Sequence, residues 1–575
     1  MVDDGGEDRI VIERDVEIAM DDGLALRADV FRPDGPGRVP VLMTLGPYGK
    51  GVRYQDGYKA QWEWLVNAHP DILEGSSRRY LTWETVDPET WVPWGYAVVR
   101  VDARGAGRSP GFLDLFSPRE AADYVRAIEW AGTQSWSNGK VGLCGISYYA
   151  INQWLVASRQ PPHLAAMIPW EGAADAYRDM ARHGGIRSNV FFQVWYPLQV
   201  LSVQHGNPNT PIDPWLGVRA SGPEELTEQE LGANRLDLYT RWTDDLDGPT
   251  YRERSADWQR VTVPFLSAAN WGGFGLHSRG NFEAFTQAAS EQKWLEVHPG
   301  RHEEWFYLPY GMALQRRFFD HFLKGADNGW EHEPSVQLNI RHALSDDFEL
   351  RHEHEWPLAR TRWTNLYLDA AADSLDWAAP VTPATTSFQA MGEPATVYSP
   401  PLAEQTEITG PLAATVFISS STSDADLFVT VRAFGPDGQE VDFQGALDPR
   451  TPLAQGWLRA SHRKLDPARS TPYRPYQTHD QTQPLQPGEI YALQIEIWPT
   501  CIVLPAGFRL ALTIGGCDFV RETPTAGPPV FQGSGLFLHT DPEDRPPDIF
   551  NGTTTIHTGP ETPSHLLVPI IPAGP

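Results

Sequence analysis

At 575 residues the chain is too long for one hydrophobic core, which stops growing near roughly 250 to 300 residues, so two or three domains are expected. Its 41% hydrophobic and 21% charged residues belong to a folded globular protein and exclude a disordered or fibrous one. The 46 basic against 74 acidic side chains leave a formal net charge of −28, which repels nucleic acid and anionic membrane surfaces, so neither is expected as a partner.

The first nine residues are acidic and lack the apolar segment of a signal peptide, and no run approaches the ~18 apolar residues of a membrane helix. Cys144, Cys501 and Cys517 are too few for a disulfide framework, and none stands in a CxxC pair. A cytoplasmic location is the expectation. The Asn551-Gly-Thr553 sequon matters only in a secreted eukaryotic protein and carries no weight.

From about residue 10 to 172 short β-type runs alternate with helical patterns. Residues 39–45 and 96–101 are apolar and partly β-branched, as strands buried on both faces should be. Ser117-Pro118-Arg119-Glu120 is a helix start, with a hydroxyl cap and proline in the first turn, and 121–130 continues it as a crossover helix. Residues 173–257 break the rhythm with aromatic stretches such as 191–196 and acidic, loop-like sequence. They are read as a largely helical cap insertion. Strands resume at 263–266 and 293–297; Leu314, Phe318 and Phe322 then share one helix face that ends at Lys324-Gly325. Beyond about 340 helical periodicity disappears, and 414–419, 427–434, 491–498 and 508–514 read as strands of an all-β sandwich, with an irregular proline-rich tail at 523–573. The expected division is an α/β core at 1–172 and 258–340, the cap at 173–257, and a C-terminal, jelly-roll-like β-sandwich at 341–575.

The segment from Lys140 to Trp154 is a short strand that turns at Ser147 into a helix. A sharp strand-to-helix turn holds a serine in a strained conformation with its hydroxyl in the pocket, and tolerates only small neighbours. Gly145 meets that need, whereas Tyr149 stands where the general G-x-S-x-G pattern has its second glycine. A serine that merely caps a crossover helix would look the same over three residues.

Gly145-Ile-Ser147-Tyr148-Tyr149-Ala150 resembles the G-x-S-Y-x-G elbow of the cocaine esterase and X-prolyl dipeptidyl peptidase family (CocE/NonD-type serine hydrolases), with Ala150 in place of the last glycine. Gly46-Pro47-Tyr48, Asp102-Ala-Arg104-Gly105 and Trp136-Ser-Asn-Gly139 match in the right order, and the β-rich C-terminal third extends the resemblance over most of the chain. The resemblance implies an α/β-hydrolase core in which Ser147 is the nucleophile, and the Tyr48 hydroxyl and the Tyr148 amide form the oxyanion hole. Asp102 and Arg104 are expected to form a structural salt bridge.

In that fold the triad runs serine, acid, histidine. The stretch 293–297 leads into His298-Pro-Gly-Arg-His302, in the position of the family's G-P-W-x-H, which implies His302 as the base. His298 and His302 have H-x-x-x-H spacing, but Pro299-Gly300 forbids the helix that would align them on zinc, so neither a metal nor a cofactor is expected. The family's acid follows G-W-x-D, whereas here Ala269-Asn270-Trp271-Gly272-Gly273 has glycine in its place. A relocated acid after the preceding strand is Glu171, in Pro169-Trp170-Glu171-Gly172, with Asp175 next; a serine-histidine dyad is the alternative.

The leading expectation is hydrolysis of a small-molecule carboxylic ester or amide, with Trp62, Trp64 and Trp195 over an aromatic or bulky apolar substrate. An X-prolyl dipeptidyl peptidase or acylase-type amidase is the second reading, although no carboxylate for a substrate ammonium is identifiable. A non-catalytic carbohydrate-binding protein is the third. A homo-oligomer is compatible with all three.

Overall fold

The computed structural model describes residues 10–521 and 536–572. The acidic first nine residues and the start of the proline-rich segment, 522–535, lie outside them. The N-terminal half is built on a sheet that opens with an antiparallel pair, β1 (Ile10–Ala19) and β2 (Ala25–Pro33). There follow β3 (Val39–Gly46), β4 (Ala97–Asp102), β5 (Ser137–Ile146), β6 (Leu164–Trp170), β7 (Phe265–Asn270), β8 (Lys293–His298) and β9 (Val336–His342). Pairing runs β1-β2-β4-β3-β5-β6-β7-β8-β9, parallel from β4 onward, so the topology is that of an α/β-hydrolase-like sheet. β4 is buried on both faces along its whole length, which its Ala-Val-Val-Arg-Val-Asp sequence predicts.

The crossovers are α1 (Pro118–Gly132), α2 (Tyr148–Ala157), α3 (Arg279–Gln287) and α4 (Pro309–Lys324). The Ser117 hydroxyl caps α1 by accepting from the Glu120 amide at 3.1 Å, and Gly325 closes α4 in the left-handed region at φ 70°. Asp102 and Arg104 do not pair with each other. Arg104 makes a two-pronged bond to Asp123, whereas the Asp102 carboxylate accepts the Lys50 and Arg108 amides. The strand ends at Asp102, and Arg104 already lies in the following turn, so each finds its own partner.

The stretch between β6 and β7 is less helical than its aromatic clusters suggest. Its helical segments are short: Ala176–Ala181, Val190–Trp195 continued by helical turns to Val203, Glu228–Ala233, Leu238–Arg241 and Pro249–Arg252; between them lie turns and two short two-stranded ladders. Prolines at 208, 211, 214 and 223 interrupt any longer run. A second insertion, residues 47–96 between β3 and β4, also packs over the sheet's C-terminal edge.

The C-terminal half is β-rich around its own apolar core, as expected. Its central ladder pairs Thr406–Ser420 with Tyr491–Leu504, and Asp426–Phe434 pairs with Arg509–Gly515. The proline-rich tail departs from the expected irregularity: Thr553–Thr558 and His565–Ile571 are strands that pair with Ala384–Gln389, Arg362–Asp369 and the central ladder. The β-branched threonines of the first strand and the apolar run Leu566-Leu-Val568 of the second outweigh the prolines, of which Pro569 lies within the strand itself. The three cysteines are free. No helix among the described residues is long and apolar enough to cross a membrane.

Candidate active site

Ser147 sits between the end of β5 and the first residue of α2 with φ 56° and ψ −112°, a conformation that a non-glycine residue adopts only when its surroundings enforce it. The enforcement is visible: its amide donates to the Trp170 carbonyl at 3.0 Å, and the preceding Ile146 amide donates to the Glu84 carbonyl at 3.1 Å. A Cβ at Gly145 would lie 2.5 Å from that of Tyr149, which is why the position two before the serine carries no side chain. Glu84 and Glu171 are also at positive φ, 61° and 52°, so strain is concentrated around this one turn.

The Ser147 hydroxyl bonds Nε2 of His277 at 3.1 Å. His277 lies on the loop between β7 and α3, and its other ring nitrogen is buried without a partner. His302 packs against it with ring centroids 4.3 Å apart, and both imidazoles share with Ser147 a small pocket also lined by Tyr48, Trp83 and Glu84. Both nitrogens of His302 are committed: Nδ1 donates to Glu171 Oε2 at 2.6 Å, and Nε2 faces Glu84 Oε1 at 3.0 Å. Burial disfavours a charge on His302, but the two carboxylates outweigh it and push its pKa up to about 10, so it is an imidazolium. His277 goes the other way, well below the usual histidine value, because burial and the positive His302 both oppose a second charge. Glu171 stays ionised, down to about 2, since His302 and His298 overcome its burial, whereas burial lifts Glu84 to about 6.

Tyr48 and Tyr148 flank the serine. The Tyr48 hydroxyl accepts from Trp195 Nε1 at 3.0 Å, and burial together with the charge of Glu84 raises its pKa well above 10, so it keeps its proton for donation. Tyr148 is the first residue of α2, where a backbone N–H has no intrahelical acceptor. Its side chain turns away to donate to Glu120 Oε2 at 2.6 Å.

The geometry thus brings Ser147, His302, Glu171, Tyr48 and Tyr148 into one neighbourhood, with one difference from the sequence reading. The imidazole in contact with the serine is His277, and His302 stands behind it with its own nitrogens occupied by carboxylates. No motif marks His277; its only signal is its place after the C-terminal end of a parallel strand, where Gly272, Gly273 and Gly275 let the loop fold inward. Glu84 likewise comes from an insertion without a recognisable pattern. Asp175 is not at the site, since it caps the helix 176–181 and pairs with Arg178. Of the three tryptophans expected over the pocket, Trp195 lines it, while Trp62 packs on Tyr54 and Trp64 lies under Arg301. The C-terminal half contributes as well, for Leu447 lines the cavity and the Ala446 carbonyl accepts the His302 amide at 3.1 Å. His298 and His302 do not converge on a common metal position; Glu171 stands between them. Ligand atoms of Glu171, His277 and His302 do lie within 4.8 Å of one another, the donor set that an ion would meet here.

Residues 22–304 match the X-Pro dipeptidyl-peptidase (S15 family) model, and residues 328–567 match the X-Pro dipeptidyl-peptidase C-terminal non-catalytic domain. A crystal structure of a CocE/NonD family hydrolase from Staphylococcus aureus superposes with a TM-score of 0.83 at 31% identity, covering 98% of this chain and 94% of that one. The chain belongs to the CocE/NonD hydrolase family. Among curated members of this family, the cocaine esterase of a Rhodococcus species is 24% identical over 97% of this chain and 98% of its own length. A Streptomyces avermitilis protein provisionally named an Xaa-Pro dipeptidyl-peptidase is 23% identical, over 87% of this chain and 78% of its own. The chain is therefore a serine hydrolase of a family that holds both esterases and peptidases.

Proposed function

We propose that this CocE/NonD family member hydrolyses small-molecule carboxylic esters through an acyl-enzyme on Ser147. The observation that carries the reading is the 3.1 Å bond from a strained, pocket-facing serine to a neutral imidazole. The Ser147 oxygen attacks the carbonyl carbon while its proton passes to His277 Nε2, and the carbonyl oxygen becomes an oxyanion held by the Tyr48 hydroxyl and the Tyr148 amide. The C–O bond to the leaving group then breaks, His277 returns its proton to that oxygen, and water repeats the sequence on the acyl-enzyme. Two carboxylates, Glu171 and Glu84, face the single imidazolium of His302, so the proton that reaches His277 enters a site with excess negative charge. His302 is the base implied by the family pattern; in this reading it and Glu171 act behind His277 as a charged pair. Residues 173–257 serve as the cap, and the C-terminal half is a jelly-roll-like sandwich that closes one side of the pocket with Leu447.

Peptidase or amidase action is a second reading, favoured by one feature. Glu303 lines the same cavity, and both of its carboxylate oxygens are buried with no partner side chain, a match for a substrate ammonium. A fluorophosphonate probe followed by peptide mapping tests the main proposal: it should mark Ser147 in the wild type and nothing in Ser147→Ala. An unmarked wild type would refute it, and turnover of an Ala-Pro nitroanilide in preference to p-nitrophenyl esters would favour the peptidase.

A further inference from the structure

Glu171 has two oxygens, and the one turned away from His302 is not free: Oε1 accepts from Asn270 Nδ2 at 3.0 Å and from His298 Nε2 at 2.9 Å. His298 ends β8, is fully buried, and is stacked between Trp170 and Trp305 at centroid distances of 4.8 and 6.1 Å. Its Nδ1 faces Glu296 Oε2 at 2.7 Å, and Glu296 Oε1 in turn accepts from Asn339 Nδ2 at 3.0 Å and from the Tyr310 hydroxyl. Carboxylates and imidazoles therefore alternate without a gap: Glu296, His298, Glu171, His302, Glu84. None of this surrounds an exposed surface, and none of it is needed to fill the core, since two indoles already cover the ring.

We propose that His298, held charged by Glu296, is a positioning residue that fixes Glu171 as the ionised, oriented acid of the site. Both His298 nitrogens face a carboxylate oxygen, and an ionised carboxylate only accepts, so with Glu171 and Glu296 ionised each nitrogen carries a proton and the ring is an imidazolium; burial raises the Glu296 carboxyl, and its contact with His298 opposes that rise. A neutral ring would set one lone pair against a carboxylate inside an apolar sandwich. The direction of its titration agrees: burial opposes the charge, yet Glu296 and Glu171 hold the pKa up at about 9. The titratable groups that face the ring are Glu171 from the end of β6 and Glu296 from its own strand, with Tyr310 of α4 and His302 one partner further away. The function of the pair follows from what Glu171 must avoid. When a proton moves onto the histidines during turnover, an acid of ordinary affinity could take it and lose its hold on His302. A second imidazolium on its other oxygen lowers that affinity and locks the carboxylate plane.

The inference rests on the serine-hydrolase reading, so its test includes a measurement that does not depend on turnover. In full-length protein labelled with 15N-histidine and carrying Ser147→Ala, both His298 ring nitrogens should have imidazolium shifts at pH 7, and Glu296→Gln should return one of them to the neutral form. In active protein, His298→Gln keeps a donor to Glu171 but removes the charge. It should lower kcat for a p-nitrophenyl ester at pH 7 by about tenfold with little change in KM. Glu296→Gln, which leaves the Trp170–His298–Trp305 packing in place, should do the same, and the double variant should be no worse than either single one. A neutral His298 in the spectrum, or a wild-type kcat in both variants, would overturn the proposal. Wild-type protein that fails to react with the fluorophosphonate probe would instead remove the hydrolase reading, and the spectrum would still decide the charge of His298.

Discussion

The carboxylate of Glu171 stands 2.6 Å from Nδ1 of His302, reached from the end of β6 and not from the loop after β7, where Gly273 leaves no side chain to do it. Two neighbouring parallel strands end side by side, so an acid moved from one strand end to the next can still touch the same imidazole. The same loop, freed of its acid, delivers His277 to the serine.

His277 is the first residue to test. His277→Gln should lower kcat for p-nitrophenyl esters by on the order of 10³-fold with KM nearly unchanged, because the direct proton acceptor is lost and the cavity is not. The circular dichroism spectrum should be that of the wild type. Activity within a factor of a few would return the role of direct base to His302.

Glu171→Gln should reduce kcat by about 10³- to 10⁴-fold, as expected when an imidazole loses its charged orienting partner. It should also destabilise the fold by about 3 kcal/mol or more in urea titration, because two buried imidazoliums lose their shared anion. A normal rate at reduced stability would make the residue purely structural.

Tyr48→Phe removes one oxyanion donor and should cost roughly 3 kcal/mol of transition-state stabilisation, about 10²-fold in kcat. Stability should fall by only about 1 kcal/mol, since Trp195 Nε1 alone loses its acceptor. Steady-state kinetics and thermal unfolding of the same preparation separate the two effects.

Glu84 sets an acid limit. Burial raises its carboxyl to about 6, so below that pH it takes up a proton, ceases to hold His302 Nε2 as an anion, and removes negative charge from around His277. Activity should therefore fall as pH drops through about 6, and Glu84→Gln should show a low rate with that step absent. An identical step in the variant would assign it to another group.

Far from the pocket, Asp544 joins three parts of the chain, accepting from Arg182 at 2.6 Å and from Arg459 at 2.9 Å. Burial would raise its carboxyl pKa, but the two guanidiniums outweigh burial and hold it far below the ordinary value. A depressed carboxyl contributes stability that is present above the unfolded pKa of about 3.9 and is lost as pH falls through the folded value. Wild-type stability should thus begin to drop near pH 5 and keep falling as the pH is lowered towards the folded value, as measured by urea unfolding, and Asp544→Asn should be less stable at pH 7 with a shallower acid dependence.

The elements of the α/β core were legible because a strand buried on both faces is a largely apolar run, as 39–45 and 96–101 are, and because Ser117-Pro118 and Lys324-Gly325 carry their helix boundaries in local chemistry. The elbow at Ser147 was legible for the same reason: a turn that admits no side chain at Gly145 leaves a mark in sequence. Local composition misled where packing overrides it, as in the tail whose prolines flank two central strands, and in the aromatic insertion, whose rings pack without long helices. The site's own connectivity was not in the sequence at all. Which imidazole touches the serine, which oxygen of Glu171 meets which histidine, and how Glu84 arrives from an unpatterned insertion all depend on strand ends and loops separated by 127 to 218 residues meeting at hydrogen-bond distance. Motif spacing reports only neighbours along the chain, whereas hydrogen bonding depends on distance and direction in space, and only the tertiary structure supplies those.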